Sequence, residues 1–215
     1  MRLQPDLLKD LVCRGELSTE ETNEQMTHMK KPILLISVAS TLFLAGCLVT
    51  SVYPFYTEKD IVSEPGLTGK WASTNDENEH WTFEKDETRA FRLTYVTKNS
   101  TNIISATPFK LGDDKFLDLM GDPENGSETQ PPPIPSHFLF HLVRTSPNVT
   151  MLPLDYDWLT QLVTNRPAAI RHHFIGEGDK RRLVLTADTK ELQRFVISHL
   201  KTKEAWGDAV ELGKE

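Results

Sequence analysis

Cysteine is scarce: two in 215 residues, Cys13 and Cys47. Residues 48–215 hold no thiol, so they build no disulfide framework, thiolate metal site or thiol nucleophile. Charge of one sign is never concentrated. That stretch carries 19 Lys and Arg against 25 Asp and Glu, with no run of five like charges and no basic stripe. A mildly acidic surface favours solubility and argues against nucleic acid, which rewards basic patches. Long hydrophobic runs are missing too. The apolar run between Lys31 and Cys47 has 15 residues, short of the roughly 20 that a spanning helix needs. There is no Gly-x-Ser-x-Gly elbow, dinucleotide or Walker-type glycine loop, or His-Glu-x-x-His.

The informative stretch is Met29 to Cys47: a start-like Met, Lys30 and Lys31, the apolar run, then Ala45, Gly46 and Cys47. The lysines stay on the cytoplasmic side, the apolar segment enters the translocon, and the small residues expose a backbone for cleavage. Leu44, Ala45, Gly46 and Cys47 resemble the lipobox of bacterial lipoproteins. That resemblance implies a diacylglyceryl group on the Cys47 thiol, removal of the peptide before it, and a membrane partner reached through the lipid. The structural reading of Cys47, a small buried residue in an apolar helix, leaves the lysines and the Ala-Gly pair unexplained. Residues 46–60 also resemble the starts of small bacterial lipoproteins, a likeness that brings no activity with it.

Residues 1–28 are polar and place six acidic residues ahead of the apolar run, the wrong polarity for export. They are read as a mis-assigned start, with translation from Met29 or Met26, or as an extension. Residues 29–46 are the signal peptide and 47–68 a lipid-anchored tether. In the tether Tyr53, Phe55 and Tyr56 either pack back on the domain or lie at the membrane interface. A single globular domain spans 69–206, and 207–215 form a tail that frays.

Within the domain, residues 81–85, 90–97, 103–111 and 115–120 alternate apolar and polar and are joined by short polar turns. They read as an antiparallel meander. Residues 121–135, with Asn125-Gly126 and Pro131 to Pro133, read as a loop. Strands follow at 137–144, 148–154, 170–175 and 182–187. Asp155 caps a helix over 155–164, and Asp188-Thr189-Lys190-Glu191 opens a second over 189–202 with a capping box. Leu192, Phe195, Val196, His199 and Leu200 form its core-facing stripe. The expected class is α+β: an antiparallel β-rich half-barrel or curved sheet carrying two helices. Gly69-Lys70-Trp71 is similar to the Gly-x-Trp signature of lipocalins. There the Trp closes one end of a barrel whose other end holds an apolar ligand. The helix at 155–164 departs from the lipocalin pattern.

Histidine is the main chemical raw material. His137 and His141 share one face of a strand about 13 Å apart, too far for one metal. His172 and His173 point to opposite faces. Asp113, Asp114, Asp155 and Asp157 occupy turn and cap positions. Asn99, Asn125 and Asn148 fit the glycosylation pattern, which in a bacterium stays unused. No catalytic or metal-binding residue is assigned, and no cofactor. The expected function is a non-catalytic, lipid-tethered envelope module with a protein or apolar ligand as partner. The alternative is an envelope enzyme using Asp, Glu or His. Leu48 does not match the Asp that follows the lipidated cysteine in inner-membrane lipoproteins, so the outer membrane is expected in a two-membrane host.

Overall fold

The computed structural model describes residues 48–86, 89–121, 136–178 and 181–215. Residues 1–28, the expected signal peptide over 29–46, Cys47 and all but Gly121 of the expected loop over 121–135 lie outside them. Among them, strand β1 (Thr50–Ser51) precedes a meander of β2 (Gly69–Ser73), β3 (His80–Lys85), β4 (Phe91–Val96), β5 (Thr101–Leu111), β6 (Asp114–Gly121), β7 (His137–Arg144) and β8 (Val149–Pro153). Then come α1 (Tyr156–Asn165), β9 (His172–Ile175), β10 (Arg182–Leu185), α2 (Thr189–His199) and β11 (Val210–Lys214). Each neighbouring pair from β2 to β8 is antiparallel. β11 joins the two ends, pairing Leu212 with Ser73 of β2 and with Val149 of β8. The result is a closed eight-stranded antiparallel barrel.

The antiparallel β-rich class with two helices stands, and the sheet closes completely where a half-barrel or curved sheet was expected. Closure also corrects the fraying tail. Residues 207–215 contain the strand that seals the barrel, and Leu212 is fully buried. Without β11, strands β2 and β8 would each present an unpaired edge.

Strand alternation fills the interior. Trp71, Trp81, Phe83, Phe91, Leu93, Leu117, Leu119, Phe138, Phe140, Met151 and Leu212 belong to one continuous core. An eight-stranded barrel is just wide enough for side chains to fill it. A second core lies on the outer face of β5 to β7. There Phe109, Phe116 and Leu139 pack against Leu159 and Val163 of α1 and Leu192, Phe195 and Val196 of α2.

The tether expectation is also corrected. Residues 48–68 belong to the domain: Val49 is 2% exposed, and Phe55 and Leu67 are fully buried. β1 runs antiparallel to β7, with Thr50 opposite Phe138 and Ser51 opposite His137. It runs parallel to β10, which pairs with β9. Further on, Val62 N–H donates to Pro108 O at 3.0 Å. Pro108 sits where β5 outruns β4, whose pairing ends at Ala106. A ring nitrogen without a proton is tolerated at such an edge.

Candidate functional site

Leu44, Ala45, Gly46 and Cys47, the residues that resemble a lipobox, lie outside the described residues. The structure does describe the peptide that follows them. Leu48 is half-buried against the barrel core, and β1 begins at Thr50.

Gly69-Lys70-Trp71 opens the barrel. Gly69 has φ +124°, a conformation that side-chain-bearing residues avoid, and this is why a glycine stands there. Trp71 is 1% exposed, and its indole N–H donates to Leu67 O at 2.8 Å. The Lys214 ammonium lies 5.7 Å from its ring centroid. The Pro65–Leu67 turn and the last strand therefore both converge on Trp71.

The two histidines of β7 go to separate carboxylates. His137 Nδ1 lies 2.7 Å from Asp118 Oδ1, and the other carboxylate oxygen accepts Phe55 N–H at 2.9 Å. Asp118 is 1% exposed and His137 5%. Burial pushes the Asp118 carboxyl above its ordinary value, although the bonds from His137 and Phe55 oppose that rise. Beside it, Tyr56 is raised by burial first, with Asp118's negative charge adding to the rise. Ser51, fully buried, stands opposite His137 across the strands, so Asp118, His137 and Ser51 line up on three adjacent strands. They are not wired as a catalytic triad. The Ser51 hydroxyl donates to Tyr53 O at 2.8 Å and accepts Tyr53 N–H at 3.3 Å. A nucleophile needs its base within about 2.6–3.2 Å and a path for substrate.

His141 Nε2 is 3.2 Å from Asp114 Oδ1, and its ring stacks on Phe116 with centroids 5.0 Å apart. Both groups line an open groove of about 360 Å³ with Asp113, Lys115, Arg144 and Thr145. Buried Glu64 braces the groove by accepting from Lys115 and, at 3.0 Å, from the Thr145 hydroxyl.

The other singled-out residues are structural. Asp155 accepts Trp158 N–H at 2.7 Å as the cap of α1. Asp188 accepts Glu191 N–H at 3.0 Å, but Glu191 does not complete the capping box. It binds Arg171 instead, at 2.6 Å to Nε and 3.0 Å to N–H. His172 Nδ1 sits 2.8 Å from Ile170 O, while His173 is exposed on the neighbouring position of β9. Among the described residues no group of three His, Asp or Glu side chains is placed to hold a metal ion. Sequence reasoning passed over Asp118, which stands between Leu117 and Leu119 on β6. It also passed over the Ser-x-x-Lys spacing of Ser198 and Lys201. In the structure Ser198 donates to Phe195 O at 2.8 Å within α2.

No protein-family model, curated protein or solved structure matches this chain.

Proposed function

We propose that this protein is a lipid-anchored, lipocalin-like module of the bacterial cell envelope that works by binding rather than by catalysis. The observation that carries the reading is the lipobox Leu44 to Cys47 behind two lysines and an uncharged run of 15 residues. The lipocalin likeness is supported by Gly69-Lys70-Trp71 on the first strand of a closed barrel, with Trp71 buried near one end. The apolar-ligand version of that likeness has less support than the protein-partner version. Bulky side chains occupy the barrel interior where a lipocalin ligand would lie. The groove beside Asp113, Asp114, His141 and Arg144 is the better surface for a polar partner, and it requires no cofactor.

The enzyme alternative draws on one observation, the desolvated Asp118–His137 pair. Its present use as a tie between the barrel and Phe55 favours the structural role. The deciding experiment is acyl labelling in a bacterial host. Full-length protein should incorporate labelled palmitate and lose residues 1–46, and Cys47→Ser should do neither. Normal labelling of Cys47→Ser would end the lipoprotein reading.

A further inference from the structure

Closure of the barrel leaves one strand edge open. Among the described residues every strand except β9 has partners on both sides, and β9 pairs with β10 alone. On β10 the backbone of Leu183 and Leu185 turns away from β9. Leu183 N–H donates to the Tyr156 hydroxyl at 2.9 Å, and Leu185 O accepts Val52 N–H at 3.0 Å. Thr186 N–H points the other way and reaches Arg171 O at 3.0 Å. His172 lies opposite Leu185 and Phe174 opposite Leu183, so the antiparallel alternation turns the N–H and C=O of His172 and Phe174 out from the free edge. The usual guards of an edge are missing there. His172–Ile175 contains no proline, glycine or lysine, it pairs with β10 without a bulge, and Ile175 is 52% exposed.

We propose that β9 is a homodimerisation edge, pairing antiparallel with β9 of a second copy about a two-fold axis at His173. The strand is complementary to itself in that register. The two outward-turned residues lie one on each side of the axis, so His172 meets the partner's Phe174 and Phe174 meets the partner's His172. Each such pair exchanges two N–H···O bonds. His173 then stands directly opposite the partner's His173, a non-hydrogen-bonded pair with Cα atoms about 4.5 Å apart. Ile175 stands opposite the partner's Arg171, whose aliphatic stem can cover it. The charges agree with the same register. Arg171 precedes the strand and Glu177 follows it, so the two-fold sets each cation diagonal to the partner's anion. Arg171 brings no uncompensated charge, being held by Glu191 at 2.6 Å and Asp188 at 2.7 Å. The patch is small, so the dimer is a transient one that forms where the chain is concentrated.

Cross-linking reads the register. In the full-length chain in mild detergent, Cys13→Ser and Cys47→Ser remove the two native thiols. His173→Cys in that background should form a disulfide-linked dimer on mild oxidation, because the opposed Cα atoms fall within disulfide reach. Ile175→Cys, two residues along the same exposed edge but facing Arg171, should cross-link several-fold less. In sedimentation, the chain without an added cysteine should shift toward dimer mass as its concentration rises. His173→Lys sets two cations opposite each other and should keep the chain monomeric to several-fold higher concentration. Equal cross-linking at positions 173 and 175, or association that His173→Lys leaves unchanged, would overturn the proposal. A monomer at every concentration would overturn it as well, and would leave the edge to an extended segment of another protein.

Discussion

Asp118 and His137 meet diagonally across β6 and β7 with 2.7 Å between Oδ1 and Nδ1, and the second oxygen of Asp118 holds Phe55 N–H. One carboxylate thus fastens the amino-terminal segment to the barrel wall, inside a layer that excludes water. Removing it would leave a backbone donor and an imidazole buried without an acceptor. Breaking such a buried pair costs about 3–5 kcal/mol.

Asp118→Ala should therefore lower unfolding free energy by about 3 kcal/mol in a urea titration. Asp118→Asn keeps an acceptor and should lose much less. The pair also sets a pH signature. The folded carboxyl is raised above the ordinary 3.8, so the native state holds this proton more tightly than the unfolded chain does. Its contribution to stability is fully present below that value and declines as pH rises through the folded-state value. The stability difference between wild type and Asp118→Asn should fall over that window. A difference that grows with pH would show that the bonds from His137 and Phe55 outweigh burial.

Phe195 tests the second core. It is 5% exposed on α2, with its ring 4.4 Å from His199 and 6.1 Å from Trp158, centroid to centroid. Phe195→Ala should cost about 3–5 kcal/mol. A loss below about 1 kcal/mol, the ordinary size of a surface substitution, would place that helix face outside the core.

β11 gives a sharper contrast between neighbours. Leu212 points into the barrel and is fully buried, whereas Glu211 beside it is exposed. Leu212→Ala should cost about 2–5 kcal/mol, and Glu211→Ala within about 0.5 kcal/mol. Deleting residues 208–215 should leave β2 and β8 with open edges and a protein that associates at concentrations where the full chain is monomeric. Size-exclusion chromatography separates the two outcomes, and a monomeric, cooperatively unfolding deletion would mean that β11 is dispensable.

Much of the barrel was legible because its strands alternate. Trp81 and Phe83, and Phe91 and Leu93, declare one buried face with period two. The stripe of Leu192, Phe195 and Val196 declares a helix with its 3.6-residue period. Asp155 and Asp188 marked both helix starts. β11 was not legible: Val210-Glu211-Leu212-Gly213-Lys214 offers two apolar residues among charges and a glycine. Its strand character comes from the two partners that flank it. For residues 48–68 the aromatic cluster of Tyr53, Phe55 and Tyr56 left packing on the domain as one of two readings, but not the partners. Phe55 N–H reaches Asp118, more than 60 residues away, and no local pattern announces that contact. Asp118 was invisible as a site because its partner is set by register, not by spacing.

If Cys47 is acylated as proposed, Leu48 bears both on which membrane holds the protein and on how that can be tested. Each buried methylene contributes about 0.8 kcal/mol, and a single acyl chain binds only reversibly. A diacylglyceryl cysteine with a third chain on its amino group would not leave the membrane on cellular timescales. The processed protein should stay with membranes in a density gradient, and recovery in the soluble fraction after mild lysis would sink the anchor. In a two-membrane host it should band with the outer membrane, since Leu48 does not match the Asp that retains lipoproteins at the inner one. The direct test, Leu48→Asp, is confounded by structure. Leu48 packs on the barrel core, so a carboxylate there carries a desolvation penalty besides changing the address. Leu48→Asn supplies the control, being polar and of similar size but uncharged. If Leu48→Asp moves the protein to inner-membrane fractions and Leu48→Asn leaves it in the outer ones, the address is read at that position. Equal redistribution of both would assign the effect to a loosened barrel, and a protease-sensitivity assay on the two variants would show it.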